Sequence, residues 1–231
     1  MGTRIYVPAR GPNDWQQFLA EPDKQWKVGY SARTLAHCWH AADGFPDEIC
    51  RVFAASSVTA LKTLEPLLVL PEYKVKLKGR GPDSQNDIFV LAKVSDSELV
   101  SITVEGKVEE SFGSPVGNWK AANSGFTDNK RERLDDLQQQ LGLDAVPDDI
   151  YYQLLHRTAS AMIEARRFNA QYAVMLVHSF SPTGSWFEEY ARFLNIFGVT
   201  AQKDRLHHLN AVDGIDMYAA WVTGDSRFLE V

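Results

Sequence analysis

Hydrophobic and polar positions along the chain keep two different periods. From Asp87 to Lys107 it reads DIFVLAKVSDSELVSITVEGK, two apolar runs (Ile88–Val94 and Leu99–Val104) around a polar Ser-Asp-Ser-Glu at 95–98. Each run has the length of a strand, and the gap suits a hairpin turn. Alternation puts Val100, Ile102 and Val104 on one face, and Leu99, Ser101, Thr103, Glu105 and Lys107 on the other. Residues 60–78 are also strand material, made irregular by Pro66 and Pro71. Tyr172–Phe180 is almost continuously apolar, as a strand buried on both faces would be, and it follows a helical stretch, which favours parallel pairing. Leu206–Val212 and Ile215–Val222 flank Asp213-Gly214, a favoured two-residue hairpin turn.

Elsewhere the spacing is three and four. It predicts a short helix at residues 13–19 capped by Asn13 or Asp14, and another at 31–39 capped by Ser31. A third starts at Phe45-Pro46-Asp47-Glu48-Ile49, with Ile49, Val52 and Phe53 as its buried stripe. Residues 113–130 form a long excursion anchored by Trp119. A helix over 130–141 then follows, built on Leu134, Leu137 and Leu141 and ended by Gly142. Pro147-Asp148-Asp149 caps a long helix running to about Phe168, on which Gln153, Arg157 and Ser160 share a polar stripe. A last amphipathic helix spans 186–197. With no internal repeat and no linker, the expectation is one domain over residues 1–231. Its class is α/β, a mixed central sheet flanked by helices, with a C-terminal β-hairpin.

Composition changes this picture little. The 231 residues are 45% hydrophobic and 11% aromatic, enough for a substantial core. No apolar run approaches the ~20 residues needed to cross a bilayer, and the first residues lack a secretory leader. Met1-Gly2 would suit myristoylation, but position 6 is Tyr rather than Ser or Thr. Cys38 and Cys50 alone make no disulfide framework, which points to a reducing cytoplasm. The stretch His37-Cys38-Trp39-His40 matches no zinc spacing. The formal charge of −6 sits awkwardly with cleaving nucleic acid, because a protein that holds phosphate backbones needs local positive charge. Two local basic clusters remain. Lys74, Lys76, Lys78 and Arg80 occupy alternate positions, as on a solvated edge strand or a phosphate-facing one. Lys130, Arg131 and Arg133 sit at a helix start, against the macrodipole.

Candidate chemistry gathers at one sheet end. Antiparallel pairing brings Asp87 beside Glu105, with Lys107 one pleat away. Two carboxylates and an ammonium can bind a divalent metal and activate water. An Asp on one strand and Glu-x-Lys late on the next, here Asp87, Glu105, Gly106 and Lys107 followed by Glu110-Ser111-Phe112-Gly113, resembles the PD-(D/E)XK nuclease superfamily. The likeness is to uncharacterised bacterial members of that superfamily, and it covers about residues 45–180 as a nuclease-like core.

The resemblance implies a restriction-endonuclease-like fold and Mg2+- or Mn2+-dependent cleavage of DNA or RNA phosphodiesters. Asp87, Glu105 and the carbonyl of Gly106 would be metal ligands, and Lys107 would orient water or stabilise charge. It further implies an acid on the helix before the sheet, Glu48, and polar groups from the following helix, Gln153 and Arg157. Homodimers are common in that superfamily. Glu48 is equally suited to its first helical turn, and Gln153 and Arg157 to an exposed helix face. Two other functions stay open: a scaffold that binds without catalysis, and a hydrolase of a small phosphorylated molecule. GxSxG, Walker and GxGxxG signatures are absent.

Overall fold

A computed structural model describes residue 5 and residues 7–94, 97–123 and 125–231. The Met1-Gly2 start and positions 95 and 96 of the expected turn lie outside the described residues. A first 3-10 turn, Pro12–Phe18, leads to α1 (Pro22–Gln25), α2 (Ser31–Ala41) and α3 (Asp47–Ala54). Then come β1 (Glu65–Val75), β2 (Ser84–Lys93), β3 (Leu99–Lys107), α4 (Val116–Ala121), α5 (Asp128–Leu141) and α6 (Tyr152–Phe168). The chain closes with β4 (Tyr172–Ser179), α7 (Phe187–Asn195), β5 (Arg205–Val212) and β6 (Ile215–Thr223).

The strands form one six-stranded sheet in the order β1-β2-β3-β4-β6-β5. β3, β4 and β6 run parallel at its centre, and the outer pairings are antiparallel. The mixed α/β architecture and C-terminal hairpin expected from the sequence are present. Among the described residues no helix is long and apolar enough to cross a membrane.

The pleat of β3 divides the core. Val100, Ile102 and Val104 pack with Leu35, Trp39, Ile49 and Phe53 of α2 and α3. On the other face Ser101 and Thr103 donate to the carbonyls of Ala161 and Arg157 at 2.9 Å each. Short side chains there, together with Ala159, Ala161 and Ala165 of α6, let helix and sheet approach closely without stranding a buried polar group. β4 is buried on both faces, as its sequence demands. Asp213 and Gly214 take φ of 53° and 78°, the left-handed pair of a tight hairpin.

Three expected caps are made differently. The 3-10 turn has Gly11 at its N-cap and no side-chain cap, and Asp14 accepts from Arg10 N instead. α6 starts after Tyr151 with no side-chain cap. Ser31 is the first residue of α2 rather than its cap, and its amide is satisfied by Glu110 from across the molecule. A distant carboxylate replaces the local hydroxyl, and only tertiary structure can bring it there. The basic clusters also part company. Lys74, Lys76, Lys78 and Arg80 are exposed on and beyond edge strand β1. Lys130 donates to the carbonyls of Trp119, Lys120 and Ala122, and Arg133 to those of Lys78 and Pro82. Both side chains are committed to backbone and are not presented to a phosphate.

Candidate active site

The sheet builds the site by register. β1 pairs with β2 through Pro71↔Ile88 and Tyr73↔Asn86, which sets Glu72 opposite Asp87. β2 pairs with β3 through Ile88↔Val104, and one step further Asp87 faces Glu105. Three acids therefore stand in one row across three strands. Glu72 adopts φ 53° within its strand, a left-handed backbone costing a non-glycine residue on the order of 1 kcal/mol or more. Such strain is often kept at functional positions. Gln85 Nε2 donates to Glu72 Oε2 at 2.7 Å.

Lys107 Nζ lies 2.6 Å from Glu105 Oε1 and donates to Gln153 Oε1 at 3.2 Å. Arg157 Nε lies 2.6 Å from Glu105 Oε2, and its Nη1 donates to Ser84 Oγ at 3.1 Å. Gln153 and Arg157, four residues apart on α6, thus reach the sheet end as the sequence suggests. Ser160 on the same stripe turns back to His156 O at 2.7 Å and takes no part. The Gly106 amide donates to Asp87 Oδ2 at 2.7 Å. A methyl at Gly106 would meet Leu35 Cδ2 at 3.2 Å and Ser31 Cβ at 3.5 Å, so glycine is what lets α2 seat against the strand.

Burial opposes charge at all three acids, with different outcomes. At Glu105 the Arg157 and Lys107 cations outweigh burial and hold the carboxyl well below its usual range. At Asp87, burial and then the Glu105 charge push the carboxyl up. At Glu72, burial and then Asp87 do the same. Among the described residues neither Asp87 nor Glu72 has a lysine or arginine within ion-pairing distance. These groups line a cavity of about 390 Å³ together with Glu110 and several residues between 19 and 32, among them Leu19, Lys24, Tyr30 and Ser31.

Glu48 is not among them, which corrects the expectation. It sits on α3, packed on the face opposite Glu105 and Lys107, so the sheet lies between them. There its Oε1 lies 3.0 Å from His178 Nε2 and 3.6 Å from Cys38 Sγ. A methyl at Gly224 would meet His178 Nε2 at 3.0 Å, so this glycine packs closely on the ring, while Cys38 and Glu48 line a second cavity of about 480 Å³.

Among the described residues Cys38, Glu48 and His178 form a group of metal-ligand types whose atoms all lie within 4.8 Å; Glu72, Asp87 and Glu105 are not gathered so tightly. Donor chemistry nevertheless argues against a metal at the Cys38 cluster. Trp39 Nε1 donates to His178 Nδ1 at 3.3 Å, so a neutral His178 carries its proton on Nε2 and gives it to Glu48. A ligating histidine normally has the reverse arrangement, its second nitrogen donating outward. Glu48 thereby receives two hydrogen bonds. Although burial opposes its charge, those bonds hold it at about 2, while burial lowers His178 and, with Glu48, raises Cys38.

Glu72 was missed by sequence reasoning. The available signal was the turn-rich Gly79-Arg80-Gly81-Pro82. A hairpin centred on Gly79-Arg80 pairs Val75 with Ser84 and hence Glu72 with Asp87.

Fold and pocket together define a mixed-sheet α/β protein with a carboxylate, ammonium and guanidinium site at one sheet end. The chain belongs to the family described as Domain of unknown function (DUF6946), whose model matches residues 8–226. No curated protein and no solved structure matches it.

Proposed function

We propose that this protein hydrolyses phosphodiester bonds of nucleic acid with the help of a divalent cation, Mg2+ or Mn2+. The observation that carries the reading is crowded acid facing a cavity. Asp87 and Glu72 line the pocket without an ion pair of their own, near the Lys107 ammonium and the Arg157 guanidinium. Hard carboxylate oxygens fit a hard cation that keeps several waters, so two or three such groups suffice to hold it. Asp87 and Glu105 are the expected ligands, with Glu72 joining them. Glu105 is the least available, because two cations already hold it. When bound, such an ion supplies Lewis acidity and neutralises phosphate charge.

The protein's own groups do the rest. Lys107, fixed by Glu105 and Gln153, holds a positive charge where negative charge develops on phosphate. Arg157 orients Glu105. The Gly106 amide orients Asp87. Free thiols at Cys38 and Cys50 suit a reducing cytoplasm.

The test is hydrolysis of bis(p-nitrophenyl) phosphate and of oligonucleotides with Mg2+ or Mn2+. Wild type turns over, and Asp87→Asn loses at least a hundredfold while keeping its fold by circular dichroism. Equal rates in the two proteins would sink the reading. One observation favours a non-catalytic scaffold instead, namely that Glu105 and Lys107 already neutralise one another. That alternative predicts no thermal shift with Mn2+.

A further inference from the structure

We infer that the pocket accepts the free end of a single strand, one nucleotide at a time, and does not cut within a continuous duplex or a closed circle. The inference rests on the proposed phosphodiesterase reading and adds the form of the substrate.

Its first support is a half-covered pocket over a buried charged floor. The charged floor is deep, with the side chains of Glu105 and Lys107 each only 4% exposed. The opposite wall comes from several residues between 19 and 32, including Leu19, Lys24, Tyr30 and Ser31. That wall is built into the fold at both ends. Trp15 is buried before it, and Leu35 and Trp39 are buried after it. Glu110 fastens it to the active strand, one oxygen accepting from Ser31 N at 2.8 Å and the other from Val108 N at 2.9 Å. A space of about 390 Å³ lies at the small-ligand end of binding-site volumes. A phosphate in the middle of a duplex brings flanking sugars on both sides and a paired strand to that wall, whereas a terminal nucleotide brings chain on one side only.

Its second support is at the mouth. Among the described residues the exposed large hydrophobic side chains are Val28, Tyr30 and Val231, and Tyr30, 42% exposed, lines this pocket. Lys27 Nζ lies 5.4 Å from the Tyr30 ring centroid. That ammonium lies over one face of the ring, and an exposed ring with a cation at hand can stack an unpaired base and steady the neighbouring phosphate. Paired bases offer no free face for it except at a terminus. In the step itself water oxygen forms a bond to phosphorus, the bond from phosphorus to the next sugar oxygen breaks, and that oxygen leaves with the proton water gives up.

The experiment compares three probes of one sequence with Mn2+: a linear single-stranded 20-mer labelled at either end, its covalently closed circle, and the blunt duplex. Stepwise release of mononucleotides from the linear strand, with circle and duplex intact, is expected. Cutting of the circle at a comparable rate overturns the inference and leaves the phosphodiesterase reading standing. Cleavage of bis(p-nitrophenyl) phosphate with no linear strand degraded also overturns it, in favour of a small phosphorylated substrate. If nothing at all is hydrolysed, the phosphodiesterase reading fails, and binding decides the inference separately. With Ca2+ in place of Mn2+, fluorescence anisotropy should give the linear strand about tenfold tighter binding than the circle, with most of that margin lost in Tyr30→Ala. Equal affinities for line and circle overturn it.

Discussion

The two polar clusters on opposite faces of the sheet use nearly the same chemistry to different ends. Around Glu48 every donor meets an acceptor: Trp39 gives to His178, while His178 and Cys38 give to Glu48. Around Asp87 two of the three carboxylates make no ion pair of their own, and this group, like Cys38 and Glu48, lines a cavity. Proximity of ligand-type atoms therefore does not mark a site by itself. The tighter cluster is the more self-sufficient, and it acts as a polar pin joining α2, α3 and β4. The looser one holds crowded acids whose charge a cation would stabilise.

The comparison breaks most sharply at Glu105, which serves both balance and chemistry. Glu105→Ala strands Lys107 and Arg157 in a buried place, and a loss of about 3–5 kcal/mol is expected from urea denaturation. Glu105→Gln should recover part of that stability and none of the hydrolysis.

On the other face, Glu48→Gln should cost up to about 3 kcal/mol at neutral pH, the worth of a carboxyl held near about 2 against 4.5 when unfolded. Because the folded value is the lower one, this stability is present above pH 4.5 and fades as pH falls toward 2. Burial also lowers His178, so its protonation at acid pH works in the same direction. Thermal melts of wild type and variant should therefore converge at low pH, and a constant gap from pH 7 to pH 3 would contradict the pin.

A third measurement separates crowded acids from a satisfied one. Saturating Mn2+ should raise wild-type stability by about 2.7 kcal/mol at a hundred times Kd, and Asp87→Asn should erase the gain. Glu48→Gln should leave the gain in place. Gly106→Ala should have the smallest effect, about 1–3 kcal/mol, as Leu35 gives way. Because the same methyl crowds Asp87 Oδ2 at 3.4 Å, it should weaken Mn2+ affinity as well.

What could be read in advance follows from what is local. Strand alternation in 99–107 and the Asp213-Gly214 turn depend on neighbours in sequence, so the sheet and both hairpins were legible. The placement of Asp87, Glu105 and Lys107 together followed from one hairpin register, and that of Gln153 and Arg157 from one helical step. Glu48 misled because a helix before a sheet can pack on either of its faces, and nothing within Asp47–Ala54 says which. Glu110 as the partner of Ser31 is 79 residues removed, beyond any periodicity. Lys130 and Arg133 looked available for phosphate because sequence cannot show which backbone carbonyls end nearby.

The row of acids also bears on how the chain finds its fold. Glu72, Asp87 and Glu105 come level only when three strands are aligned one way. Slip the middle ribbon by a single residue and its alternation inverts, driving Asp87 toward the oily layer of Val104 and Leu35 and turning Ile88 to the wet end. Misaligned hairpins would thus carry a penalty that their hydrogen bonds alone could not impose. The groups that equip the protein to act also proofread its assembly.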